Sequence, residues 1–287
     1  MRTALYLFIA SRIDGAHLAT SRRRKWWWRL CRLLHPTGTI PIPLPFGRLW
    51  ADTRDGVVAY QLMKRGQWEP YETRVLLAHI RPGQRIVEIG SNIGYHTVQI
   101  GHAVGPAGHV HAFEPDPINT ALLRRNVAEH RLGAVVDVHA AAVSDRAGPA
   151  TLVRHGHNMG GHSLIAANVD NAVETVAVAT LTLDDVIADT HVDLIKIDAE
   201  GAEPAVLAGA HRTIARDRPI LFMEIWPYGL VSQGGAAALI DNLRANYDLS
   251  RIDEATGTIS PVGAYDPSDD AKDSEIAWTL LARPRVN

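Results

Sequence analysis

Arg85-Ile86-Val87-Glu88-Ile89-Gly90-Ser91-Asn92-Ile93-Gly94-Tyr95 reads as a buried strand, a tight turn and the start of a helix, and the other elements of this 287-residue chain fall into place around it. Gly90 lets the backbone turn with no Cβ in the way, Ser91 or Asn92 can cap the helix that follows, and free N–H groups at that helix start face whatever lies above the strand. This is the floor of a nucleotide pocket. A dinucleotide site needs Gly-x-Gly-x-x-Gly, so that a pyrophosphate can rest on the helix N-terminus, whereas here Gly90 and Gly94 are separated by three residues and Glu88 precedes the turn. A carboxylate there repels a pyrophosphate. It suits a ligand that carries positive charge, such as the ammonium and sulfonium of S-adenosylmethionine.

Outward from this turn the chain alternates strand and helix. His109–Phe113 is a second strand closed by Glu114, and Asp116-Pro117 is a helix start, a side-chain cap with proline at the first helical position; that helix runs to a glycine stop at Gly133. An acid at the end of the second strand, roughly twenty residues past the turn, is placed to take the two hydroxyls of a ribose. A third strand, Val135–Val143, leads to Ser144 and Asp145, where an adenine edge is met. Thr182 caps a short helix, Val192–Asp198 is the fourth strand, and a helix continues through Leu207, Ala210 and Ile214. Pro219–Trp226 is a fifth strand ending near Glu224; after a helix around Leu239–Leu243, Tyr247–Ile252 and Ile276–Ala282 close the sheet. Ligands of an open α/β sheet bind at the carboxyl ends of its strands, so Asp198 and Glu200 are expected to face the molecule above Gly90.

Before this core, Pro36, Pro41, Pro43 and Pro45 preclude a helix and mark an extended connector or edge strand, Leu49–Tyr60 with its Arg54-Asp55-Gly56 turn reads as a hairpin, and Glu69-Pro70 opens a helix that ends at Ile80. The expected division is an extension over residues 1–67 and a catalytic domain over 68–287. Eight of the 29 Lys and Arg residues fall among the first 35 positions, with one of the 31 Asp and Glu. The remaining chain is net acidic, which argues against nucleic acid as a partner, since a phosphate backbone needs clustered cations. Residues 1–10 are too short for a membrane span and are read as no signal peptide. Over residues 22–34, Arg22, Lys25, Arg29 and Arg32 share one helical side and Trp26, Trp27, Leu30, Leu33 and Leu34 another. Such a face either lies on an anionic membrane surface or packs on the domain or across a homodimer. The single cysteine, Cys31, fits a reducing compartment, so the expected location is cytoplasmic, with peripheral membrane contact through residues 22–34 as the variant. In Arg154–Ser163 the histidines at 155, 157 and 162 lack the carboxylate of a rigid zinc site and read as a flexible loop over an acceptor pocket, with His162 a contact or proton acceptor.

Glu88-x-Gly-Ser-Asn-Ile-Gly-Tyr, Phe113-Glu114-Pro115 and above all Ile195-Lys196-Ile197-Asp198-Ala199-Glu200-Gly201-Ala202-Glu203 resemble the FkbM-type methyltransferases, a branch of the class I S-adenosylmethionine-dependent enzymes, over roughly residues 68–226. The resemblance implies a Rossmann-like seven-stranded sheet with an antiparallel last strand, and O-methylation of a hydroxyl on a sugar, glycolipid, polysaccharide or polyketide-type metabolite. Glu88 and Ser91 stand where many relatives have Asp and Ala, both conservative changes. By matching positions, Glu88, Gly90, Ser91, Asn92 and Tyr95 would hold the methionine part, Glu114 the ribose, and Ala142, Val143 and Ser144 the adenine edge. Asp198 is the first candidate for the base and His162 the second; Glu72, Glu200 and His162 would face the acceptor. Related sugar O-methyltransferases use magnesium to acidify the hydroxyl, and Asp198 and Glu224 would be two of its oxygen ligands. Three other readings stand beside this one. An amino-methyltransferase would show Asn/Asp-Pro-Pro-Tyr/Phe where the chain has Asp198-Ala199-Glu200-Gly201, an NAD-dependent oxidoreductase would need the closer glycine spacing, and a non-catalytic nucleotide-binding scaffold or membrane-associated protein would keep the pocket without turnover.

Overall fold

A computed structural model describes residues 6, 36–265 and 277–285. The basic tryptophan helix expected over residues 22–34, and the first ten residues apart from Tyr6, lie outside the described residues. Among those described, no helix is long and apolar enough to cross a membrane. Two compact units are present, one formed by Met1–Trp68 with His157–Gly160 and the other by Glu69–Gly156 with Gly161–Asn287.

In the first unit, β1 (Thr39–Leu44) and β2 (Gly47–Asp52) form an antiparallel hairpin with Leu44 opposite Gly47. The prolines of β1 alternate with buried Ile40, Ile42 and Leu44, so the residues without an N–H donor fall on the outer positions of a two-stranded sheet that has room for them. The hairpin expected over Leu49–Tyr60 is therefore displaced. Its supposed turn is the start of α1 (Val58–Arg65), where the Asp55 carboxylate accepts the N–H groups of Val57 and Ala59 at 3.0 and 2.9 Å. A helix cap and a hairpin turn use the same residue types, and here the carboxylate found helix donors first.

The second unit is built on a twisted sheet. After α2 (Pro70–Ala78) come β3 (Arg85–Ile89), α3 (Tyr95–Val104), β4 (His109–Phe113), α4 (Pro117–Glu129) and β5 (Val136–His139). β6 (Ala142–Val143), β7 (Gly148–His155) and β8 (Ala172–Leu181) form a separate three-stranded sheet in the order β6-β8-β7. The chain then continues through α5 (Leu183–Ile187), β9 (Leu194–Ile197), α6 (Glu203–Gly209), α7 (His211–Asp217), β10 (Ile220–Ile225), α8 (Pro227–Leu230), α9 (Gly235–Arg244), β11 (Tyr247–Ile252), β12 (Ile259–Pro261) and β13 (Trp278–Pro284). The main sheet has the order β12-β11-β13-β10-β9-β3-β4-β5. Strands β10, β9, β3, β4 and β5 are parallel, and β13 runs antiparallel between β10 and β11, as the resemblance implies. The short β12 adds an eighth strand at the edge, antiparallel to β11.

Strands β7, β8 and β12 are not expected from the sequence, and several boundaries shift; three of the departures have a local reason. The expected third strand splits into β5 and β6, which belong to different sheets, because the chain leaves the edge at Ala140 and Ala141 to pair with β8. The helix after the fourth strand breaks at Ala210, since the buried Asp184 carboxylate accepts the Arg212 and Thr213 N–H groups at 2.9 and 2.8 Å and so caps a new helix, α7. α4 ends at Glu129 rather than at Gly133, with Arg131 taking the left-handed conformation at φ 58°. Its start is as expected: Asp116 accepts from the N–H groups of Ile118 and Asn119.

Candidate functional site

The turn after β3 rests on the end of β9. Gly90 has φ 80°, and a Cβ added there would collide with the Asp198 carbonyl oxygen, so the glycine permits both the left-handed turn and the close approach of two strand ends. Asn92, at φ 49°, follows in the same conformation without the freedom of glycine. What holds it is Glu114 at the end of β4. Its Oε2 accepts the Asn92 N–H and its Oε1 the Asp116 N–H, each at 2.8 Å, which ties the glycine turn to the neighbouring strand end. Burial pushes the Glu114 carboxyl up to about 8 despite those two bonds. The Asn92 Oδ1 is buried and accepts no hydrogen bond among the described residues. Ser91 is buried and donates to the Glu88 carbonyl at 3.2 Å, and Tyr95 is buried at the start of α3.

Beneath the turn lies a concentration of carboxylates around one ammonium. Glu88 is buried, receives the Thr97 hydroxyl at 2.5 Å, sits opposite Lys196 across the β3–β9 pairing, and is raised by burial to about 7. Lys196 Nζ is 3.4 Å from Asp198 Oδ2 and 3.9 Å from Glu72 Oε1. Burial alone would lower its pKa, but the charges of Asp198, Glu72, Glu88 and Glu69 hold the ammonium well above its ordinary range. Glu72 enters from α2 and takes the Thr279 hydroxyl of β13 at 2.6 Å. Asp198, Glu200 and Glu224, half-buried at the ends of β9 and β10, each place one carboxylate oxygen within 4.8 Å of the others. Burial and then the charge of Asp198 raise both Glu200 and Glu224 well above the usual carboxylate range, and Glu69 is raised by burial and by Glu72. One ammonium does not neutralise this set, so the site favours an incoming cation.

The segment after Asp198 is held in a strained form. Glu200 has φ 50°, and its carbonyl accepts from Ser163 Oγ at 2.9 Å and from Asn168 Nδ2 at 3.0 Å. Asn168 Nδ2 also donates to the Gly229 carbonyl, and Gly201 leaves no room there for a Cβ. Glu203, buried and raised by burial to about 7, accepts the N–H groups of Ala199 and Gly201 and closes the turn from within.

The structure thus brings together Glu72, Glu88, Gly90, Asp198, Glu200 and Glu224, with Glu114 and Asn92 at the adjoining turn. Val143 lies apart: its side chain is in the apolar core with Ile89, Phe113 and Ile197, and the Ser144 N–H is taken by the Leu181 carbonyl. Ala142 is buried in β6. His162 Nδ1 accepts the His155 N–H at 3.0 Å, so in the neutral ring the proton sits on Nε2, which donates rather than accepts. Sequence reasoning gives no site role to Lys196, Glu69 or Glu203, though it meets them in other patterns, and none to Thr97, Asn168 or Thr279. Lys196 was legible in principle, two residues before Asp198 and so on the same face of the strand; Thr279 and Asn168 are distant in sequence and carried no signal.

A parallel sheet with an antiparallel strand inserted before its edge, and a glycine turn facing acidic strand ends, define the class I methyltransferase architecture. A profile of the methyltransferase FkbM domain matches residues 88–243, more than half of the chain, and the chain belongs to that family. It is 33% identical over 174 residues, 49% of this chain and 66% of the other, to the 31-O-demethyl-FK506 methyltransferase FkbM of Streptomyces tacrolimicus. It is 36% identical over 55 residues, 19% of this chain and 26% of the other, to a protein-L-isoaspartate O-methyltransferase of Methanothrix thermoacetophila. The chain therefore spans just under two thirds of the first of these relatives and about a quarter of the second. Among solved structures, methyltransferase FkbM from Methylobacillus flagellatus KT aligns with a TM-score of 0.44 at 17% identity, over 69% of this chain and 43% of that one.

Proposed function

We propose that the protein is an S-adenosylmethionine-dependent O-methyltransferase acting on a hydroxyl of a sugar, glycolipid or polyketide-type acceptor. The observation that carries this reading is the excess of buried and half-buried carboxylate around Lys196, at the strand ends beside the Gly90 turn. The donor fits the residues present. Asn92 Oδ1 is a buried acceptor with no donor among the described residues, and Glu114 keeps a second lone pair on each oxygen for the ribose hydroxyls. When bound, S-adenosylmethionine supplies an electrophilic methyl group on a sulfonium.

The residues of the chain then have three tasks: to align the acceptor oxygen in line with the methyl–sulfur bond, to exclude water, and to take the hydroxyl proton. Asp198 would take that proton at one of its carboxylate oxygens. Lys196 orients it from 3.4 Å. Glu72 and Glu200 bound the acceptor side. A divalent cation such as magnesium fits the donor chemistry at Asp198 and Glu224, and Glu200 provides the third oxygen that the sequence reading lacked. Such an ion would acidify the acceptor hydroxyl.

Calorimetric titration with S-adenosylhomocysteine, with magnesium and with EDTA, and with NAD as the control ligand, tests the proposal. Micromolar binding of the first and none of NAD supports it. Absence of S-adenosylhomocysteine binding by folded protein would sink it.

A further inference from the structure

At the far edge of the main sheet three imidazoles and a carboxylate share one face. Alternation along β4 puts His109 and His111 on the same side, and the parallel register sets Asp137 opposite His111 and His139 opposite Phe113. His109 Nε2 is 3.0 Å from Asp137 Oδ2, His111 Nδ1 is 3.2 Å from His139 Nε2, and the His109 and His111 rings are 4.7 Å apart. One ligand atom each from His109, His111 and Asp137 fall within 4.8 Å of one another. The imidazoles are half-buried and Asp137 is exposed, so an ion in solution can reach them. His109 opens β4, whereas Glu114 follows its carboxyl end, so this cluster stands at the other end of the strand from the pocket.

We infer that this face is a binding site for a divalent d-block cation, zinc being the best fit, held by His109, His111 and Asp137. Two imidazoles and a carboxylate suit a borderline ion and not magnesium or calcium, which take oxygen donors. A zinc ion needs its ligand atoms roughly 2.0–2.2 Å away, and rotation about side-chain bonds closes the present separations because the strands already hold the three Cα positions side by side. His139 is the orienting partner. With the His111 Nδ1–H donating to His139 Nε2, the His111 Nε2 lone pair is left for the metal, the arrangement by which outer partners set ligand tautomers. At His109 the ion takes the place of the proton shared between Nε2 and Asp137, and the ring keeps its proton on Nδ1. Arg85, opposite His109 on β3, puts a positive charge beside the cluster, which makes the Asp137 carboxylate necessary to the site. The bound ion would join the edge strand β5 to β4.

The test uses the full chain freed of metal with a chelator and titrated with zinc by competition against a chromophoric chelator, with thermal unfolding followed in parallel. One zinc per chain should bind and raise the Tm, and cobalt in its place should show visible d–d bands of a nitrogen-ligated ion. Asp137→Asn, an isosteric change at an exposed position that should leave the Tm of the metal-free chain unchanged, should weaken zinc binding by at least about tenfold; the double variant His109→Ala/His111→Ala should abolish both the Tm rise and the cobalt bands. His155→Ala/His162→Ala should leave them unchanged. Zinc affinity unaltered by Asp137→Asn and by the double variant, or no zinc binding by the wild-type chain, overturns the inference.

Discussion

Lys196 Nζ lies 3.4 Å from Asp198 Oδ2, and the two residues, two positions apart at the end of β9, point the same way into a site that holds Glu72 and Glu88 as well. The ammonium is buried, so it is the interior counter-charge that lets this many acids stand together. Lys196→Met should cost about 3–5 kcal/mol, because it leaves buried carboxylates without a partner. Urea unfolding at two pH values checks this. The loss should be larger above pH 8 than near pH 5, where Glu88 is protonated, and a loss that ignores pH would remove the counter-charge role.

Asp198→Asn should leave S-adenosylhomocysteine affinity within a few-fold of wild type and reduce turnover on the order of 10²- to 10⁴-fold. The pocket floor meets Asp198 through its backbone carbonyl, which the substitution preserves. Single-turnover rates beside calorimetric affinities separate the two effects. Unchanged turnover would remove the residue as base or metal ligand.

Gly90→Ala should abolish cofactor binding and destabilise the protein by about 3 kcal/mol or more, since the new Cβ meets the Asp198 carbonyl and the φ of 80° suits only glycine well. Calorimetry and the midpoint of thermal unfolding report both. Wild-type affinity in this variant would contradict the placement of the pocket.

Glu88 links the site to pH. Its carboxyl is raised from 4.5 to about 7 in the folded protein, so the native state holds a proton that the unfolded chain releases. The stability this contributes is fully present below about pH 4.5 and is lost as pH rises through about 7. Glu88→Gln should therefore be near neutral in stability at acidic pH and stabilising, on the order of 3 kcal/mol, above the folded pKa. Affinity for the cationic S-adenosylmethionine should run the other way in the wild type, rising between about pH 6 and 8 as Glu88 and Glu114 ionise. Titrations across that range check the slope, and a flat profile would mean that neither carboxyl changes charge on binding.

Much of this molecule was legible before its structure because the decisive signals are local. A run of β-branched residues into Gly90-Ser91-Asn92, the acid at Glu114, and the Asp116-Pro117 cap depend on neighbours within a few positions, and each stands where its own chemistry put it. Short apolar runs bounded by turn residues likewise marked the parallel strands of the main sheet. Errors fell where two local readings were equally good and a distant partner chose between them. Asp55 became a helix cap rather than a hairpin turn, the Val135–Val143 run was divided by pairing with β8, and the helix beyond Glu203 was broken by a carboxylate from Asp184. What the sequence by itself determined was the alternation of strand and helix in the parallel core and the acidic character of its strand ends; it gave no sign of β7, β8 or the small sheet they form. Tertiary structure alone decided that Glu72, Lys196, Asp198 and Thr279, separated by as many as 207 positions, meet around one charge, because only a folded sheet brings remote strand ends within reach of Coulomb forces.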